Sequence, residues 1–329
     1  MSKIKTLIIG CGKIAGIYEN LEDKTVLSHC KALYLDPDYD LVSCCDIVPE
    51  NAKKLADKYG FTEYGDDFNR QIKDNQIDVV SICTPDNTHF KVAKTVLENE
   101  YLPSVIFLEK PICANQKELY ELISLSREKN VKIVVNHTRR YDNKHIQLKK
   151  LIKEGFFGKL YRADVYYYSG WEHNGVHVVD TLSFLFDEKI EISKLNRVIE
   201  SPYPEDDTAD FELLLKQSGA PIYLTGIDER YFQLFEFDLK FDKSRLRIED
   251  FGNRLAYEKK YINEMHENVL KLANLNIKTG TKGPIQNAYT LIKNYIIHGE
   301  NSLDGYSIED VSNTMLLIWK GKQWIKRLI

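Results

Sequence analysis

Two histidines four residues apart, His173 and His177, stand in the segment His173-Asn174-Gly175-Val176-His177. An imidazole titrates near neutral pH, so either ring suits proton transfer to and from a hydroxyl. The same spacing at a helix start, with Asp180 one turn beyond His177, also matches a metal pair. There is no HExxH glutamate beside it, and no metal is expected. Near the N-terminus, Gly10-Cys11-Gly12-Lys13-Ile14-Ala15 reads G-x-G-x-x-A directly after an apolar run. The first glycine permits a tight turn, the second lets backbone approach a pyrophosphate, and the small Ala15 lets a following helix pack close. Backbone N–H groups at that helix start would face the anion. Asp46 ends the next apolar run. A carboxylate there can accept hydrogen bonds from ribose hydroxyls and favours NAD, because a 2′-phosphate would meet its charge. The usual spacing is about 20 residues, whereas Asp46 lies 36 after Gly10. Tyr18 to Ser28 reads as an insertion between the glycine turn and the first helix that could lie over the cofactor. Lys110, between Glu109 and Pro111, follows another apolar run. On a parallel strand this is the end where open α/β sheets bind ligands, whereas a plain surface lysine would be solvated.

The elements that must carry these residues alternate over the first 136 positions. Apolar runs at Lys5 to Ile9, Leu41 to Cys45, Ile77 to Cys83, Ser104 to Leu108 and Val131 to Val135 are separated by helical stretches. Pro49 can open one helix, Gly60 can stop it, and Asn87 and Asn115 can cap two others. Continuous apolar strands between helices imply a parallel sheet covered on both faces. Beyond that point a basic helix (His145 to Glu154) precedes a strand at Tyr161 to Tyr168 and a short helix near Asn174. Ala209, Phe211, Leu213 and Leu215 then alternate with polar residues, as do Phe235, Phe237, Leu239 and Phe241. Period-two alternation predicts antiparallel strands with one buried face. Helices around Ile285 to Ile297 and Ile308 to Trp319 follow. The expected fold class is α/β. A Rossmann doubly wound parallel sheet (1–136) is expected to bind NAD, followed by an α+β domain with an open, mainly antiparallel sheet (137–329).

Composition limits the alternatives. The chain has 329 residues, 43% hydrophobic and 29% charged, which excludes wholesale disorder. A net charge of −4 argues against general nucleic-acid binding. No apolar run approaches the roughly 20 residues that span a bilayer, and the short apolar stretch in MSKIKTLIIG does not suit a signal peptide. A cytoplasmic protein without membrane partners is expected. All six cysteines lie between Cys11 and Cys113 without a CxxC pair, and read as small buried apolar groups.

Three further segments make the reading specific. Thr84-Pro85-Asp86-Asn87-Thr88-His89, Glu109-Lys110-Pro111 and Gly175-Val176-His177-Val178-Val179-Asp180 follow the glycine turn in order. Together they resemble the Gfo/Idh/MocA family of nicotinamide-dependent oxidoreductases over nearly the whole chain. The resemblance implies that Thr84, Pro85, Asn87 and His89 line the nicotinamide half of an NAD cofactor. It places Glu109 beside the nicotinamide ribose and Lys110 at the reacting carbon. His177 would be the general base, while His173 stands where many members carry Asp. It either joins the proton-transfer set or contacts substrate. A charged His173 would lower the pKa of His177 and help keep it neutral. Asn136, Arg140 and Tyr141 resemble the segment entering the substrate cleft, with Arg139 or Arg140 a possible anion clamp. Tyr168, Trp171 and Asn174 complete the expected substrate set. The leading substrate is a nucleotide-linked sugar of surface polysaccharide biosynthesis. Free sugars or inositols come next, and an imine or tetrapyrrole reductase is a rival. A catalytically inactive NAD-binding regulatory or assembly subunit is the other alternative, motivated by the missing Asp at position 173. A homodimer or homotetramer through the open sheet face is expected, with Lys240 meeting Glu236 or Asp238 across the two-fold axis.

Overall fold

The computed structural model describes residues 2–299 and 301–328. In chain order the elements are β1 (Ile4–Ile9), α1 (His29–Tyr34), β2 (Tyr39–Cys45), α2 (Pro49–Tyr59), β3 (Glu63–Gly65), α3 (Phe68–Asn75) and β4 (Val79–Ile82). Next come α4 (His89–Leu97), β5 (Val105–Leu108), α5 (Gln116–Lys129), β6 (Lys132–Val135), α6 (Asn143–Lys153), β7 (Leu160–Tyr168) and α7 (Val176–Phe186). The strands β8 (Ile190–Ile199), β9 (Thr208–Leu215), β10 (Pro221–Ile227), β11 (Glu236–Phe241), β12 (Ser244–Glu249), β13 (Arg254–Ile262) and β14 (Asn268–Ala273) follow, then α8 (Pro284–His298) and α9 (Ile308–Leu328). No described helix is long and apolar enough to cross a membrane.

The chain forms two compact units, Met1–Asp142 with Gly280–Ser312, and Asn143–Thr279 with Asn313–Ile329. A single cut after residue 136 would give α8 to the second unit. Instead the chain leaves the first unit and returns to it. The reason is apolar: Ile285, Ala288, Tyr289 and Ile292 of α8 are buried in one cluster with Ile4 and Ile8 of β1 and Leu33 of α1.

The sheet of the first unit is parallel throughout, in the order β3-β2-β1-β4-β5-β6. Its central strands β4 and β5 are buried at every position, as strands covered on both faces must be. Pro49 opens α2, and Gly60 ends it in the left-handed region (φ 78°). The Asn115 side chain accepts from the Glu118 N–H and caps α5. Asn87 does not cap α4. It lies in a short 3₁₀ turn, Asp86–Thr88, and α4 starts after Thr88 without a side-chain cap. All six cysteines are buried free thiols, and burial pushes Cys45 up to about 12.

The second unit is an eight-stranded sheet, β14-β13-β12-β11-β7-β10-β9-β8, antiparallel except where β10 runs parallel to β7. Ala163, Val165, Phe211, Leu213, Phe237 and Leu239 fill its buried face. The other face carries a ladder of charges. Arg162 grips Asp164, and Lys240 joins Asp164 to Asp238. Arg245 grips Asp238 through both oxygens, at 2.8 and 2.9 Å, and reaches Glu258. The pairing of Lys240 expected across a subunit boundary is thus made within one chain. Each such partly exposed pair contributes at most about 1 kcal/mol.

Candidate active site

The residues of the first unit are built around the end of β1. Gly10 has φ +91°, and a Cβ there would lie 2.7 Å from the Cys83 carbonyl and the Thr84 nitrogen. Only glycine lets β1 and β4 end so close together. At Gly12 a Cβ would meet nothing within 4 Å, so the turn presents open space to a ligand. Ala15 and Cys11 are buried, while Lys13 and Ile14 are exposed. The Asp46 carboxylate accepts from the Cys11 N–H at 2.7 Å and from the Val48 N–H at 2.9 Å. The first bond ties the tip of β2 to the glycine turn, and the two together fix the position of its charge.

No helix opens directly after the glycine turn: the Tyr18 to Ser28 stretch separates that turn from the first helix, where the sequence places an insertion. The Gly16 N–H bonds back to Gly12 and Lys13, and α1 begins only at His29. The intervening insertion is held from beneath by two lysines. The Lys31 ammonium donates to the carbonyls of Asn20, Asp23 and Thr25 at 2.6, 2.7 and 3.0 Å. Lys58 donates to Gly16, Ile17 and Glu19 carbonyls.

Pro85 and Asn87 are exposed beyond β4, and Thr84 is half-buried. His89 is fully buried, with its ring nitrogens 2.6 Å from the Pro111 carbonyl and 2.8 Å from the Thr84 carbonyl. It braces those two loops against each other. The Lys110–Pro111 bond is cis. The Glu109 Oε1 accepts from His29 Nε2 at 2.9 Å and from Asn136 Nδ2 at 2.6 Å. Burial works to raise the Glu109 pKa, but these hydrogen bonds and the nearby charges outweigh it and hold the carboxyl below its usual range. Asn136 is 5% exposed, and its buried Oδ1 has no hydrogen-bond partner among the described residues. An unpaired buried acceptor is costly, and a ligand donor would satisfy it. The Lys110 ammonium, half-buried, has no hydrogen-bond or ion-pair partner among the described residues.

Two expected substrate residues of this unit lie elsewhere. Tyr141 is fully buried, donates to the Val135 carbonyl at 2.8 Å and stacks on Tyr306. Arg140 is buried and donates to the Gly305 carbonyl at 2.7 Å. Both serve the core, because each polar tip finds a backbone carbonyl inside it.

The second unit presents His173 and His177 from a wound segment. Residues Gly170–Gly175 form one π-helical turn that runs into α7, a distortion common at functional sites. Ser169 and Gly170 enter it with φ of 57° and 83°. Asp206 receives the N–H groups of Glu172 and His173 at 2.7 and 2.8 Å and so fixes the turn. Burial raises the Asp206 pKa, and those bonds offset part of the rise. His173 is exposed and stacks on Tyr203 at 4.3 Å, while Asn174 and His177 are half-buried. Tyr168 is half-buried, edge-on to Phe251. Trp171, expected to contact substrate, is a core residue: it is fully buried, packs on Phe211, and donates to the Ile318 carbonyl at 2.8 Å.

His29, Tyr289 and Asp206 were not among the expected site residues. His29 carried one usable signal, its place after Ser28, a good helix N-cap.

A sheet in the order 3-2-1-4-5-6, with an open glycine turn after β1 and an aspartate tied to it from β2, defines an NAD(P)-binding Rossmann fold. Residues 4–137 match the oxidoreductase family with an NAD-binding Rossmann fold, Gfo/Idh/MocA. An inositol 2-dehydrogenase/D-chiro-inositol 3-dehydrogenase of Lactiplantibacillus plantarum is 27% identical over 168 residues, 50% of this chain and 44% of that protein. The chain thus spans less than half the length of that curated relative. Among solved structures, a protein from Desulfitobacterium hafniense, named only provisionally as an NADPH-dependent oxidoreductase, superposes with a TM-score of 0.82 at 15% identity. It covers 100% of this chain and 97% of that one. KijD10, a 3-ketoreductase from Actinomadura kijaniata solved with TDP-benzene and NADP, gives 0.74 at 15% identity, covering 96% of each chain.

Proposed function

We propose that the protein is an NAD-dependent oxidoreductase that moves hydride between nicotinamide and a secondary hydroxyl or ketone of a sugar or polyol. The observation that carries this reading is Lys110, an ammonium with no protein partner among the described residues at the C-terminal end of β5, beside the clamped Glu109. The residues suited to hold the dinucleotide are the Gly10–Ala15 turn, Asp46, Thr84, Pro85, Asn87 and Glu109, with His89 behind them. The bound nicotinamide supplies the two-electron hydride exchange. Lys110 binds the reacting oxygen and favours negative charge developing on it. His177 takes the hydroxyl proton on oxidation and returns it on reduction. His173 and Asn174 contact the substrate, with Tyr168 as a further contact. Asn136 offers its unpaired Oδ1 as an acceptor.

A nucleotide-linked sugar needs groups for base stacking and phosphate contact. Of the residues expected to supply them, Arg140, Tyr141 and Trp171 are buried on other partners, which leaves Tyr168 and Arg139, both half-buried. A free sugar or inositol is therefore the favoured substrate, ahead of the nucleotide-linked sugar. A panel of free polyols, free sugars and sugar nucleotides, followed by NADH absorbance, tests the assignment. Tight NADH binding with no turnover of any of them would instead favour an inactive cofactor-binding subunit.

Asp46 makes the cofactor preference testable. Its charge is fixed by the Cys11 and Val48 N–H groups, so it cannot swing away from a 2′-phosphate. NADH is expected to bind at least about tenfold tighter than NADPH, roughly 1.4 kcal/mol. Equal or tighter NADPH binding, measured by titration, sinks the assignment.

The open sheet face is taken as a two-fold contact between copies, giving a homodimer or a tetramer of such dimers. With its charges paired in one chain, that face can meet its symmetry mate without burying lone ions. Light scattering at micromolar concentration is expected to give a multiple of 38.3 kDa, and the monomer mass excludes the assembly.

A further inference from the structure

We propose that His29, seated by Tyr289, is a positioning residue for Glu109, fixing which carboxylate oxygen that side chain offers at the C-terminal end of β5. The proposal deepens the function assigned above and rests on it.

His29 is the first residue of α1 and is fully buried. Its Nε2 lies 2.9 Å from Glu109 Oε1, and its Nδ1 lies 2.7 Å from the Tyr289 hydroxyl. That hydroxyl is also 2.7 Å from Ser81 Oγ on β4. Phe107 and Tyr289 meet the imidazole edge-on and leave it little room to turn. Tyr289 is itself anchored, because Tyr39 donates to its backbone carbonyl at 2.6 Å.

The proton arrangement follows. An ionised Glu109 only accepts, so His29 Nε2 carries the hydrogen in that bond. With a neutral ring, Nδ1 then accepts from Tyr289 O–H, and the Tyr289 oxygen accepts from Ser81. Every polar atom along the chain is satisfied in one direction. Asn136 donates to the same Oε1. Both protein bonds therefore fall on one oxygen, and Oε2 has no protein partner among the described residues. It is the oxygen left to a ligand hydroxyl. The groups facing Glu109 are His29 from α1, Asn136 after β6, Lys110 beside it and the Cys83 thiol after β4. Burial holds that thiol protonated, so His29 and Lys110 are the side chains able to place positive charge there.

The unliganded full chain tests this through the Glu109 carboxyl carbon resonance, identified by its loss in Glu109→Gln. His29→Leu removes a donor to the carboxylate, so the midpoint of that titration is expected to rise by about one pH unit. His29→Gln restores an N–H and should return most of the shift. Tyr289→Phe removes one hydroxyl from a retained ring and should raise the midpoint by less. A merely structural role would lower the melting temperature and leave the Glu109 midpoint where it is. An unmoved midpoint in His29→Leu overturns the proposal. Should that variant not fold, an unmoved midpoint in Tyr289→Phe does so. NADH titration of the wild type is read separately: no binding removes the functional assignment, while the carboxyl titration still decides the role of His29.

Discussion

Lys110→Ala is expected to cut kcat by at least about a hundredfold, roughly 2.7 kcal/mol of barrier. The argument starts from what the side chain does not do. Its ammonium has no hydrogen-bond or ion-pair partner among the described residues, so removing it costs the fold little. In the proposed reaction its charge assists the oxygen that changes charge. NADH binding should therefore stay within about threefold, a shift of roughly 0.7 kcal/mol. Steady-state kinetics with a fluorescence titration of NADH separates the two quantities. A kcat within about tenfold of wild type would remove Lys110 from the chemistry.

His177→Asn should be comparably damaging, by about a hundredfold to ten-thousandfold in kcat. Asn keeps a polar side chain on the first turn of α7 but cannot take up a proton near neutral pH. The sign of the pH effect follows. Oxidation of the hydroxyl needs the unprotonated imidazole, so the wild-type rate rises with pH through the histidine titration. The variant's residual rate should be flat over that range. If the same limb survives in the variant, the base is another group.

Much of the first unit could be read locally. Pro49 and Gly60 bound α2, and Asn115 caps α5, because those signals act within one turn of their own residue. The edge elements β3 and α3 escaped, since a three-residue strand and a polar eight-residue helix leave too little apolar pattern. Residue type alone misplaced Arg140, Tyr141 and Trp171. An aromatic ring with a polar tip suits a binding cleft, but it suits a core equally well when a carbonyl waits inside. Val135, Gly305 and Ile318 provide those carbonyls. The insertion between the glycine turn and the first helix was legible from the delayed apolar pattern, but the way Lys31 and Lys58 collect its carbonyls was not, because those contacts join residues well apart in sequence. The pairing of His29 with Tyr289 spans 260 residues, and no local pattern carries such a contact.

The return of the chain to its first unit bears on how that unit is made. Synthesis proceeds from the N-terminus at roughly 5–20 residues per second. All six strands of the parallel sheet exist once Val135 is added, yet α8 starts only at Pro284. For that interval, of order ten seconds or more, Ile4, Ile8 and Leu33 have no α8 to cover them, and His29 has no Tyr289. The dinucleotide domain is therefore the first part of the chain to be translated but cannot be the first to be finished. The whole of Asn143–Thr279 must emerge before it can close.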